Sequence, residues 1–164
     1  MRMPFATVAL SLALASCGGD REGTVQTDEG EVDYAIDQSD GDTEIRFRGS
    51  DDEEVTINSG PQAEADLPAG YDIYPGARII SNATINQTDG QGSVVVMTSA
   101  DSAADMVKYY RRQAEAAGIE IEMEMTTNGS SLIGGESADG ATFSFNASPG
   151  ENGTTAQLVV GRGM

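Results

Sequence analysis

The stretch Ile119 to Met125 reads IEIEMEM, apolar and acidic residues in strict alternation. Successive side chains of an extended strand point to opposite faces, so this run sorts into one apolar and one acidic face only as a β-strand. Ile119, Ile121, Met123 and Met125 are expected to face a core, and Glu120, Glu122 and Glu124 to face water. The same period of two runs from Glu31 to Asn58, through Val32, Tyr34 and Ile36, then Ile45 and Phe47, then Val55 and Ile57. Asp40-Gly41 between the first two runs suits a two-residue hairpin turn with positive φ at both positions. Folding there sets Ile36 opposite Ile45, Tyr34 opposite Phe47 and Asp33 opposite Arg48, so an apolar face and a charge pair fall into register together. A turn over Gly49 to Glu53 then sets Phe47 opposite Val55 and Arg48 opposite Glu54. The product is a three-stranded meander with seven apolar side chains on one face. Three strands cannot bury such a face alone. It is expected to lie on the rest of the chain, on a second copy or on a partner.

Residues 59–69 break the pattern with Pro61 and Pro68 and are expected to link the meander (31–58) to a second unit over 70–164. There, Tyr74-Pro75-Gly76 is a turn, and strands are expected near Arg78 to Asn86 and Ser93 to Thr98. Asp101 or Ser102 caps a helix that runs to Ala117 and stops at Gly118, with Met106, Tyr110, Ala114 and Ala117 on one face. Asn128-Gly129 turns the IEIEMEM strand back to Leu132-Ile133, and Phe143, Phe145 and Gln157 to Val160 mark two more strands. The expected fold class is α+β: an antiparallel sheet with one packed helix, preceded by the three-stranded β-meander. The expected core is Ile80, Val94, Val96, Met106, Tyr110, Ile121, Met123, Phe143, Phe145 and Leu158.

The first sixteen residues have a different character. Arg2 precedes an apolar run from Phe5 to Leu14, about half of what a membrane span requires. It ends in Leu14-Ala15-Ser16-Cys17, and Cys17 is the only cysteine. LASC resembles the lipobox of bacterial lipoproteins, in which the cysteine receives diacylglycerol and becomes the new N-terminus. The resemblance implies a signal peptide over 1–16, lipidation (palmitate) at Cys17 and attachment to a membrane through that lipid. Residues 17–30, rich in glycine and polar side chains, then read as a flexible tether. Because Gly18 rather than an aspartate follows Cys17, the resemblance further implies the outer membrane, facing the periplasm, of a Gram-negative cell envelope. The stretch LPAGYDIYPGARIISN, followed by a strand, a helix containing Tyr109-Tyr110 and a strand with LIGGE, is similar to a group of small bacterial envelope lipoproteins. That group implies no particular activity.

Composition narrows the function. Acidic residues outnumber basic ones by 27 to 9, for a formal net charge of -18. A nucleic-acid partner is disfavoured, since binding needs cations that displace phosphate counterions. The chain has no histidine, which removes the commonest general base and metal ligand. Acylation of Cys17 would leave no free thiol. Lys108, the single lysine, would be the only base for a serine nucleophile. No catalytic set, cofactor or metal site is therefore assigned. Asp37 to Glu44 has acids at alternating positions, but counted from Asp37, position 5, where a calcium loop needs a ligand oxygen, is Gly41. Glu120, Glu122 and Glu124 read as an outward face. Lys108, Arg111 and Arg112, at helical spacing, form a basic patch available to an acidic partner; as a solvated face near the helix C-terminus they need none. The expected role is a non-catalytic binding or scaffolding module at the membrane, with a protein partner or self-association through the meander. The alternative is a periplasmic carrier of a small apolar ligand. With the ligand held between sheet and helix, a cavity of several hundred cubic ångströms lined by Val, Met and Phe would favour the carrier, and a packed core would end it.

Overall fold

The computed structural model describes residues 21–27, 30–49, 53–60, 63–88, 90–151 and 153–163. Cys17 and the signal segment lie outside them. Among the described residues, ten strands and one helix follow in the order β1 (Arg21–Thr27), β2 (Gly30–Ser39), β3 (Asp42–Arg48), β4 (Glu54–Ser59), β5 (Arg78–Gln87), β6 (Gly90–Ser99), α1 (Ala103–Ala116), β7 (Ile119–Thr127), β8 (Ser130–Ser137), β9 (Ala141–Gly150) and β10 (Gly153–Arg162).

All ten strands belong to one antiparallel sheet, ordered β1-β2-β3-β4-β5-β6-β10-β9-β8-β7. This corrects the expectation of a separate meander placed before a second sheet. The meander registers are as expected, with Ile36 opposite Ile45, Tyr34 opposite Phe47 and Phe47 opposite Val55. Asp40 and Gly41 adopt φ of 50° and 89°, the pair of positive values that this hairpin turn demands. What differs is the fate of the open edge. β4 pairs along its length with β5, Val55 opposite Ile85 and Ile57 opposite Ala83. Two sheet edges, each with unpaired N–H and C=O groups, satisfy one another by joining. Likewise, part of the segment read as a tether forms β1, which pairs with β2 from Arg21↔Ile36 to Thr27↔Gly30. Its gain is backbone hydrogen bonding, which leaves little trace in an apolar pattern.

The helix lies across β7, β8, β9 and β10 on one face of the sheet. Ser102 caps it, its hydroxyl accepting the Asp105 N–H. Ala103, Met106, Val107, Tyr110 and Ala114 face the sheet, where they meet Val95 and Met97 of β6, Ile133 of β8, Phe143 and Phe145 of β9, and Leu158 and Val160 of β10. Of the expected core, Met106, Tyr110, Phe143, Phe145 and Leu158 are buried, while Ala117 of the expected helix face is exposed.

Two bulges account for much of the remainder. One, between Ile79 and Ser81, leaves Ile80 44% exposed; the other, between Ile121 and Met123, turns Met123 and Met125 to the face away from the helix, 47% and 55% exposed. The second bulge also brings Glu124 to the helix side, where the Arg111 guanidinium meets it at 2.6 Å. Expected core residues Val94 and Val96 are half-buried on the opposite face from Val95 and Met97. A run of three valines has no parity from which to choose the inner face.

The excursion between β4 and β5 is not a loose linker. Ala65, Leu67, Tyr71, Ile73, Tyr74 and Ala77 all pack against the core on the helix side. The Tyr74 N–H donates to the Tyr110 hydroxyl at 3.0 Å, the Tyr74 hydroxyl donates to Asp101 at 2.8 Å, and the Asp72 N–H donates to the Gln113 side-chain oxygen at 3.2 Å. The YDIY motif is thus a strap bound to the helix by tyrosine hydroxyls and ring edges, with Tyr109 edge-on to both Tyr74 and Tyr110.

Candidate functional site

Through the middle of the helix–sheet interface there is little free volume. Tyr110, Phe145, Met97, Met106 and Leu158 are fully buried. The Tyr110 ring lies 4.4 Å from that of Phe145, and its hydroxyl donates to the Met97 sulfur at 3.3 Å. Space opens instead at the C-terminal end of the helix. There the last turn (Ala117), the start of β7 (Ile119), the start of β9 (Ala141, Thr142), the end of β10 (Val160 to Arg162) and the loop Pro68 to Tyr71 surround a cleft of about 240 Å³.

The walls are mostly apolar, from the Tyr71 ring, Ile119, Ala141 and Val160. Polar side chains in the lining are few: Gln91 and Arg162, with Thr142, whose hydroxyl donates to the Gly161 carbonyl at 3.5 Å. Tyr71 is held by stacking on Phe143, 5.9 Å between centroids and 12° between planes. Arg162 is anchored at 2.7 Å by Asp139. The Asp139 carboxyl lies below the usual carboxylate range because the Ser137 hydroxyl donates to it and Arg162 stands beside it.

The Tyr71 hydroxyl is buried and has no hydrogen-bond partner among the described residues. An unsatisfied buried donor costs about 1–3 kcal/mol. Tyr71→Phe is therefore expected to raise unfolding free energy by about 1 kcal/mol, read from chemical denaturation. The phenol also carries a pH signature. Burial pushes its pKa up from 10.0 to about 12, and Tyr74 is pushed up to about 12, first by its hydrogen bond to Asp101 and then by burial. The unfolded chain releases these protons more readily than the folded one. Stability is then complete below pH 10 and lost as pH rises toward 12. Melting temperature should fall over that window, and less steeply in Tyr71→Phe; an equal slope in both proteins would show that Tyr71 does not titrate as its burial requires.

A larger groove, about 530 Å³, runs over β1 to β3 past Thr24, Asp33, Arg46 and Arg48. It lies on a single sheet layer open to solvent, with charged walls, and encloses nothing. Asp37, Asp42 and Glu44 border a further shallow hollow, but among the described residues no group of three or more His, Cys, Asp or Glu is placed to hold a metal. Lys108, Arg111 and Arg112 stand in different surroundings. Arg111 turns toward Glu124 and Glu115, Arg112 lies 5.9 Å from the Tyr109 ring centre, and Lys108 is exposed. No described helix is long and apolar enough to cross a membrane.

Sequence reasoning did not single out Tyr71, Ile119, Thr142, Val160 or Arg162 as a site. Tyr71 stood within the LPAGYDIYPGA motif, but nothing marked its hydroxyl as lacking a partner. That property exists only once the strap folds onto β9.

Residues 79–157 match a family model described as START domain-like. The chain is similar to that family from β5 through the helix and into β10, the part that contains the helix–sheet interface. No curated protein and no solved structure matches the chain.

Proposed function

We propose that this protein is a non-catalytic binding domain for a small apolar ligand, carried on a lipid at Cys17 and facing the periplasm from the outer membrane. The START domain-like match supports a carrier of hydrophobic ligands over the scaffold role that the composition first suggested. The observation that carries the reading is the cleft at the helix C-terminus, whose walls are mostly apolar. Pockets of this kind take the body of a ligand against apolar walls and orient it with a few polar groups. The packed helix–sheet interface ends the form of carrier first expected, with its ligand between sheet and helix in a Val-Met-Phe cavity. The proposed site is instead the cleft beside it, whose apolar lining is tyrosine, isoleucine, valine and alanine. The packed interface beyond it confines the ligand to this end, so the ligand is small or extends out past Thr142 and Arg162. Arg162, at the mouth, suits a polar or anionic head.

The test uses the mature chain and the neutral fluorescent probe N-phenyl-1-naphthylamine. The expected result is saturable enhancement, lost in Val160→Trp, whose larger side chain would occupy the cleft. Unchanged probe binding in a folded Val160→Trp protein would place the ligand elsewhere and end this reading. Metabolic labelling with a fatty-acid probe checks the anchor separately: label on the wild type, and none on Cys17→Ala.

A further inference from the structure

The face of the sheet turned away from the helix is sorted by charge in a way the ligand cleft does not require. The pairing registers place Val25, Val32, Tyr34, Ile36, Ile45, Phe47, Val55 and Ile57 on it, and continue it through Ile85 and Ala83 of β5, Val94 and Val96 of β6 and Val159 of β10. From β1 across to β10 this face carries no aspartate or glutamate. Every carboxylate of β1 to β4, from Glu22 through Asp33, Asp37 and Glu44 to Glu54, projects to the opposite face. Among the described elements, β1 to β4 touch only their neighbouring strands. Val25 is 50% and Phe47 38% exposed. Among the described residues, the apolar face that three strands could not bury alone is still uncovered, because the meander joined the sheet by its edge and not by its face.

We infer that a second copy of this chain covers it, the two sheets packing face to face as a sandwich. Seven strands about 4.8 Å apart, each contributing roughly 23 Å of length, present about 780 Å² per copy, close to what a stable, specific interface buries on each side. Sheets packed this way lie about 10 Å apart with interdigitated side chains. Val, Ile, Tyr and Phe standing level on a pleated surface provide such a layer. Charge favours the same arrangement. Two copies at net charge -18 repel each other, but here both sets of carboxylates point outward, roughly 20 Å apart and about two Debye lengths at physiological salt. A bilayer fits the face less well, since its only cations from β1 to β10 are Arg21 and Arg78, and it lacks the basic rim of interfacial membrane binders.

The experiment is sedimentation of the mature chain carrying Cys17→Ala, with phosphatidylcholine vesicle flotation alongside. The expected result is a dimer at tens of micromolar. Ile45→Asp, which would bury a charge in the sandwich, should weaken it at least about thirtyfold. Thr56→Asp adds the same charge on the opposite face and should leave it intact. Circular dichroism and the tyrosine near-ultraviolet signal confirm folding of each variant. A wild type that stays monomeric at about 100 µM overturns the inference without any variant. So does a dimer that a folded Ile45→Asp retains, or a monomer that floats with the vesicles. Probe binding at the cleft is unaffected by any of these outcomes, so this inference and the proposed function fail independently.

Discussion

Replacing Tyr110 with alanine is expected to lower unfolding free energy by about 4 kcal/mol, a large part of the 5–15 kcal/mol that holds an ordinary domain together. Three elements meet on this one side chain. Its ring is fully buried against Phe145, its hydroxyl donates to the Met97 sulfur, and the same oxygen accepts the N–H of Tyr74 from the strap. Alanine would leave a cavity under the helix and also strand the Tyr74 N–H. Tyr110→Phe separates the two contributions: it keeps the ring and loses only the hydroxyl, for an expected cost of about 1–2 kcal/mol. Urea denaturation of the three proteins measures both. If Tyr110→Phe were as damaging as Tyr110→Ala, the hydrogen bonds rather than the packing would hold the interface, contrary to the burial seen there.

The second large effect is expected at a residue with no side chain. Gly135 lies on β8 where the bulge of β7 passes. A Cβ built there would overlap the Glu120 carbonyl oxygen and crowd Ile121. Because the obstacle is backbone and not the end of a flexible chain, Gly135→Ala must push β7 away or undo the bulge. The expected cost is about 3 kcal/mol, a fall in melting temperature of roughly 10 °C. Gly134 makes a useful contrast, since its added Cβ would meet the Phe143 carbonyl at 3.4 Å and the Met123 methyl at 3.6 Å, near-ordinary contacts. Gly134→Ala should cost about 1 kcal/mol or less. Equal melting temperatures for the two variants would mean that the bulge yields at little cost.

That bulge also marks where sequence reasoning stopped. IEIEMEM is a strand, as its alternation demands, but alternation assumes an unbroken ladder. One extra residue at Glu122 reverses the assignment of everything after it, which puts Met125 outside and Glu124 against Arg111. The glycine that permits the bulge was visible in LIGGE, and its partner across the sheet was not. The meander shows the same division. Each hairpin register within Glu31 to Asn58 followed from side-chain pattern and turn chemistry, because the partners are near in sequence and share a face. That β4 would go on to pair with β5 depended on backbone edges meeting across an eighteen-residue excursion, and backbone edges are the same for every sequence.

By itself, the amino-acid order determined the strand and helix periods, the two positive-φ hairpin turns, the helix cap, the acidic character and the LASC segment that carries the lipidation proposal. Those depend on local sterics, local hydrogen bonding and composition. Tertiary structure alone decided that the strands form one sheet, that the strap closes over β9, that a cleft opens beside the last turn of the helix, and that, among the described residues, the Tyr71 phenol is left unpaired and an acid-free apolar face bare. Each of these arises where segments distant in the chain meet, and whether a polar group finds a partner or an apolar face finds a cover depends on both segments together.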